Sequence, residues 1–99
     1  MKKYSTVEDY LEVMAGLKDP ITLKSNPNNN WFGVFEPIVS LARYDTNVLE
    51  SMSTSVNSGQ ALTERQGTLA VKLVVKYKRQ LSQKGIDTTP VEESPQWRN

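Results

Sequence analysis

The sequence predicts an all-α protein, a small bundle of about four helices with a disordered C-terminal tail. Apolar residues recur at steps of three and four in several separate stretches, the spacing of an amphipathic helix. Two of these stretches begin with a Ser/Thr-x-x-Glu/Gln capping box. An extended piece at residues 21–23 is too short to build a sheet. We therefore expect one helical domain over residues 1–86 and a flexible tail or linker over residues 87–99.

Composition excludes several classes of function. A chain of 99 residues forms one domain at most. It contains no cysteine and no histidine, which rules out disulfides, thiolate metal sites, zinc chemistry and Ser or Cys triads. We predict no catalytic residue, no metal and no cofactor. No run approaches the roughly 20 apolar residues of a membrane span, and no signal peptide is recognisable, so we expect a cytoplasmic protein.

The first predicted helix runs from about Thr6 to Lys18. Ser5 and Glu8 form its capping box, and the Asp19-Pro20 pair ends it, because proline disfavours helical geometry in the preceding residue. Its apolar positions are Val7, Tyr10, Leu11, Met14 and Leu17. An asparagine-rich loop follows at residues 25–30.

Two further helices are predicted before residue 60. Pro37 suits the first turn of a helix that ends near Tyr44, although a start at Trp31 with a kink is an alternative. Asp45 or Thr46 can cap the next helix, which ends at residues 58–59. Its apolar positions are Val48, Leu49, Met52 and Val56.

The best-signalled element is a helix from about Glu64 to Lys84. Thr63 and Gln66 form a capping box at its start. At its end, Gly85 can adopt the left-handed conformation of a Schellman motif, which returns Ile86 onto the last turn.

At 100° per residue, this helix has three edges. An apolar stripe should pack on the other helices; it consists of Ala70, Leu73, Val74, Tyr77 and Leu81. A basic band lies elsewhere on the circumference; it consists of Arg65, Lys72, Lys76 and Arg79. Val71 and Val75 form a third, narrow apolar strip. The basic band is either a solvated face or an edge that contacts nucleic-acid phosphates.

The apolar strip also has two interpretations. Val71 and Val75 are covered by another helix or by the tail, or they form a docking edge for a partner protein. Among the tryptophans, Trp31 is predicted to lie in the core. Trp97 lies beside Arg98 in the polar tail and is the better candidate for a contact with a partner.

Two short motifs resemble a known family. Residues 58–66 read SGQALTERQ, and residues 76–81 read KYKRQL. Together with residues 95–98, PQWR, they resemble the N-terminal accessory region of DNA helicases encoded by bacteriophages. The resemblance covers about residues 58–98 and implies a DNA-associated accessory domain in phage replication or recombination. It does not imply helicase activity, because this chain has no Walker-type lysine loop.

The first hypothesis is therefore a non-enzymatic phage-type accessory domain. It would bind nucleic acid weakly through Arg65, Lys72, Lys76 and Arg79 and dock on a replication protein. The alternative is a small protein-interaction module without a nucleic-acid role, which modulates a host or phage enzyme. The chain could be a piece of a longer enzyme or a free-standing protein, and the Trp97-Arg98-Asn99 end favours the second. The sequence does not indicate the partner, the oligomeric state or a preference for single or double strands.

Overall fold

A computed structural model of the chain describes residues 2–25 and 36–93. These ranges contain five helices: α1 (Val7–Met14), α2 (Arg43–Asn57), α3 (Glu64–Lys76), α4 (Lys78–Gln83) and α5 (Thr89–Glu93). The described part has no β-strand, only two isolated bridges, which join Lys2 to Ile86 and Lys18 to Ser25. The predicted all-α class is confirmed. The alternative helix start at Trp31 and the core position predicted for that residue lie outside the described residues.

Two helices, α3 and α1, begin with the kind of cap that the sequence predicts, and at α1 the cap is shifted by one residue. The capping box of α3 is confirmed: Gln66 N–H donates to the Thr63 hydroxyl at 3.2 Å, and the Gln66 side chain accepts from Thr63 N–H at 3.0 Å. At α1 the cap is Thr6 rather than Ser5, because the Thr6 hydroxyl accepts the N–H of Asp9 at 3.3 Å.

Two glycines in the left-handed conformation end helices. Gly85 has φ of 80° and follows α4, where Ile86 N–H donates to the carbonyl of Leu81 at 3.0 Å. The predicted Schellman motif is therefore confirmed. Gly16, with φ of 78°, ends α1 by the same pattern of bonds. That helix consequently stops four residues before the predicted end at Lys18.

The helix predicted over residues 37–44 is wrong. Residues 36–42 contain no helix, and their backbone groups bind distant partners. Ile38 N–H donates to the Met14 carbonyl at 2.9 Å. Ser40 N–H donates to the Gln80 side chain at 2.7 Å, and the Ser40 carbonyl accepts from the same amide at 3.0 Å. Because tertiary contacts satisfy these groups, the segment does not need the local bonds of a helix.

The start of α2 also differs from the prediction. This helix begins at Arg43 after Ala42, which provides no side-chain cap. Neither Asp45 nor Thr46 is the cap; both lie inside the helix. The carboxylate of Asp45 instead binds Lys76 on α3, so tertiary pairing replaces the predicted local role.

The predicted helix from Glu64 to Lys84 is divided into α3 and α4 at Tyr77. This residue has φ of −103° and ψ of 15°, away from regular helical values. Hydrogen bonds continue through the division, since Tyr77 N–H donates to Leu73 at 3.2 Å and Leu81 N–H donates to Tyr77 at 3.1 Å. The division is therefore a local distortion, and it falls at the residue whose side chain reaches α2.

The core lies where α1 packs against α2 and α3. All five residues of the predicted apolar stripe are buried, as are all five apolar positions predicted for the first helix. Leu49 and Met52 of α2 are buried as well, while Val48 and Val56 are partly buried against the core. The apolar periodicity therefore identified the core-facing sides of three helices correctly.

The predicted boundary between domain and tail at residue 86 needs correction. Residues 89–93 form α5, which packs on α3, and Val91 is 6% exposed. The Asp87 carbonyl accepts the hydroxyl of Tyr10 at 2.6 Å, and the Asp87 carboxylate accepts from Thr89 N–H at 3.0 Å. These bonds stabilise a segment whose composition alone indicates a tail. Residues 94–99 of the predicted tail lie outside the described residues.

Shortening Val91 should test whether α5 belongs to the folded domain. Val91→Ala is expected to lower the free energy of unfolding by about 1.5 kcal/mol, because two buried methyl groups are lost. Urea denaturation monitored by circular dichroism measures the change. Glu93→Ala, at an exposed position of the same helix, should leave stability unchanged. Equal stability of both variants would show that α5 contributes nothing to the fold.

Candidate functional site

The structure separates the four residues of the predicted basic band. Arg65 and Lys72 are exposed on α3, and within residues 2–25 and 36–93 neither side chain forms an ion pair. Lys76 lies further along α3 and is paired with Asp45. Arg79 lies on α4, beyond the distortion of the helix, and lines a different groove.

Lys76 belongs to a hydrogen-bonded cluster between α2 and α3. Its ammonium group and the hydroxyl of Tyr77 each donate to the same oxygen of Asp45 at 2.6 Å. The Tyr77 hydroxyl in turn accepts the N–H of Ala42 at 2.9 Å. This cluster joins the start of α2 to the end of α3 and thereby fixes the spacing of the two helices.

The electrostatics of the cluster follow from these contacts. The hydrogen bond from Lys76, followed by that from Tyr77, holds the pKa of Asp45 below its usual value. Burial, together with the Asp45 carboxylate, raises the pKa of Tyr77. The Lys76 side chain remains 58% exposed, so its ammonium group also faces solvent. Asp45 thus offsets part of the positive charge that Lys76 presents.

A small groove runs beside this cluster between α2 and α3, and we name it the α2–α3 groove. It encloses about 90 Å³. Its lining residues are Tyr44, Asp45, Val48, Leu69, Lys72, Leu73 and Lys76. Tyr44 is 73% exposed and Leu69 is 40% exposed. The groove therefore combines an apolar floor with two lysines.

Tyr44 and Leu69 were not among the predicted site residues. One signal for Leu69 was present, because it lies four residues after Arg65 and three before Lys72, on the same edge of the helix as the cations. Tyr44 carried no such signal, since its exposure depends on where α2 begins, and α2 begins at Arg43 instead of after Tyr44.

Arg79 contributes to a second, wider groove between α4 and α5. This groove encloses about 440 Å³ and is lined mainly by polar side chains, among them Lys78, Thr88 and Glu92. Lys78 binds Glu92 at 3.0 Å, and the Thr88 hydroxyl donates to the other oxygen of that carboxylate at 3.0 Å. Both contacts, the one from Lys78 first, lower the pKa of Glu92. Arg79 is therefore set among paired charges that hold α5 in place.

The residues predicted to bind a partner also separate. Val71 and Val75 are partly buried and pack against the core. Lys78 lies on the same side of the helix as these two valines and forms an ion pair with Glu92 of α5. The α5 helix therefore lies near the C-terminal end of this strip. Trp97 and Arg98 lie outside the described residues.

Comparisons with protein-family models, curated proteins and solved structures found no match to this chain. None of the described helices is long and apolar enough to span a membrane. The described residues also contain no group of three acidic, histidine or cysteine side chains arranged to hold a metal ion.

Proposed function

We propose that this protein is a non-enzymatic accessory domain of phage-type DNA replication or recombination. It acts in the cytoplasm of the host cell, binds nucleic acid weakly and docks on a replication protein. The observation that carries the nucleic-acid role is the α3 edge, where Arg65 and Lys72 are exposed and form no ion pair with any residue that the structure describes, and Lys76 lies on the next turn. The sequence resemblance over residues 58–98 supports the proposed role in phage DNA replication or recombination.

The α3 edge supports weak, sequence-independent binding. Cations at positions 65, 72 and 76 recur on one side of the helix, where each can neutralise a backbone phosphate and release a counterion. Lys76 contributes less than a full contact because Asp45 already binds it. With two to three contacts, the slope of log K against log salt is about −2 to −3, since each contact adds roughly −0.9.

Glutamine substitutions on the α3 edge should test the nucleic-acid role. Fluorescence anisotropy with labelled single-stranded and duplex DNA is measured from about 50 to about 200 mM salt. Lys72→Gln and Arg65→Gln are each expected to weaken binding and to reduce the salt slope by about 0.9. Lys24→Gln is the matched control, because Lys24 is an exposed lysine outside α3.

Two results would contradict this function. One is the absence of binding at about 50 mM salt, where phosphate contacts are strongest. The other is a loss of affinity in Lys24→Gln equal to that in Lys72→Gln, which would assign the binding to overall charge and not to α3.

A second candidate function is a protein-interaction module without a nucleic-acid role. The apolar side chains that line the α2–α3 groove favour this candidate. The exposed Leu69 offers neither a charge nor a hydrogen-bond donor to a phosphate. Pull-down of a partner from infected-cell extract after nuclease treatment, combined with absent DNA binding, would support this candidate over the first.

A further inference from the structure

We propose that the α2–α3 groove binds an acidic segment of a partner protein that presents one branched aliphatic side chain. The aliphatic group enters the groove, and carboxylates on either side of it contact Lys72 and Lys76. This inference rests on the protein-docking part of the proposed function, and its test does not require nucleic-acid binding. It specifies the surface of this protein on which the partner docks and the chemistry of the partner segment.

The size and lining of the groove select the aliphatic group. Its aliphatic lining residues are Val48, Leu69 and Leu73, and its space is about 90 Å³. A cavity of about 150 Å³ with a similar lining accommodates benzene. The smaller space is about what one branched aliphatic side chain fills.

Exposure also marks this groove as a docking surface. The described residues include three exposed large apolar side chains, and two of them, Tyr44 and Leu69, flank the groove. Apolar side chains that cluster around a groove and are rimmed by polar groups are typical of protein-binding sites, and tyrosine is enriched among the residues that contribute most to binding.

The charge of the groove favours acidic residues on either side of the partner's aliphatic side chain. The charged side chains that line the groove are Lys72 and Lys76 from α3 and Asp45 from α2. Lys76 and Tyr77 both donate hydrogen bonds to the Asp45 carboxylate, so this negative charge is already paired within the protein. The rim therefore retains a net positive charge. A second copy of this chain would present the same positive rim and be repelled.

A titration with designed peptides tests the proposal. The probe is a capped five-residue peptide with a central leucine between two aspartates on each side, added to the ¹⁵N-labelled full chain. We expect amide shifts to concentrate at the lining residues of the groove. Replacing the central leucine with alanine should weaken binding about tenfold, and replacing the aspartates with asparagines should weaken it at least about threefold.

Protein variants provide the matched comparison. Leu69→Ala should weaken peptide binding by about fivefold, as expected for a partly exposed contact. Ile21→Ala should not change it, although Ile21 is 69% exposed and of similar size. Leu69→Ala should also leave the salt slope for DNA unchanged, so that failure of this proposal and failure of nucleic-acid binding are distinguishable.

Several results would overturn the proposal. Shifts spread over the whole surface, or equal binding of the leucine and alanine peptides, would exclude the groove as an aliphatic site. Shifts at the lining residues caused by oligothymidine but not by the peptide would assign the groove to nucleic acid. A dimer in sedimentation that Leu69→Ala dissociates would assign it to self-association.

Discussion

Lys18→Ala is expected to lower the free energy of unfolding by about 3 kcal/mol at neutral pH. Lys18 lies 3.1 Å from the carboxylate of Glu12, whose side chain is 5% exposed, and 3.6 Å from that of Asp9. Removing the ammonium group leaves a buried carboxylate without its counter-charge. The expected loss is at the lower end for a broken buried pair because the Lys18 side chain is 23% exposed.

The pH dependence of this loss has a definite sign. Burial raises the pKa of Glu12 in the folded protein, although Lys18 acts to lower it. A carboxyl with a raised pKa binds its proton more tightly when folded, so its contribution to stability is largest at low pH and falls as pH rises through the folded-state pKa. Without Lys18 this pKa rises further. The free energy of unfolding that Lys18→Ala loses relative to the parent should therefore be smaller near pH 4 than at about pH 7.

Urea denaturation of the parent and the variant at both pH values measures this effect. Replacing both partners, Glu12→Met with Lys18→Met, is the control, because an apolar pair leaves no buried charge and should come within about 1 kcal/mol of the parent. If Lys18→Ala were as stable as the parent, or if its loss of stability did not change with pH, Lys18 would not be the counter-charge of a buried Glu12 carboxylate.

Leu81→Ala should destabilise the protein by about 3 to 4 kcal/mol. Leu81 is 0% exposed, and its carbonyl accepts the N–H of Ile86 in the Schellman motif that ends α4. Truncation leaves a cavity at the position where α4 turns toward α5. We therefore expect the thermal midpoint to fall and the backbone amides of α5 to exchange faster with deuterium.

Leu69→Ala is the matched control for this prediction, because it removes the same atoms from an exposed position and should change stability by less than about 1 kcal/mol. A loss in Leu81→Ala no larger than in Leu69→Ala would contradict the assigned packing of α4. Protection of α5 that stays unchanged in Leu81→Ala would show that α5 is held independently of α4.

The predicted helix ends were confirmed where contacts between residues close in sequence determine them. The capping box of Thr63 and Gln66 and the glycine stop at Gly85 each involve residues within six positions of one another, so the chain itself carries the whole signal. The end of α1 was predicted at Asp19-Pro20, but Gly16 ends the helix earlier. This signal is also local, since the left-handed glycine lies two residues after the last residue of the helix.

The candidate site was less predictable than the fold. Helical spacing placed Arg65, Lys72 and Lys76 on one edge, and the structure agrees. It could not show that Asp45, 31 residues away, binds Lys76, or that Arg79 lies in a different groove. The exposure of Tyr44 likewise depends on where α2 begins, and Ala42, the residue before that start, donates its N–H to the Tyr77 hydroxyl 35 residues away.

The sequence by itself determined the all-α class, the buried sides of three helices, the start of α3 and the end of α4, because periodicity and capping act over one or two turns. Only the tertiary structure decided that residues 36–42 form no helix, that Asp45 pairs with α3 and that residues 89–93 pack as α5. In each case, backbone or charged groups find partners 24 to 77 residues away, as Ile38 does with Met14, Asp45 with Lys76 and Tyr10 with Asp87. Such bonds outweigh local propensity because buried polar groups must be satisfied, wherever in the chain the partner lies.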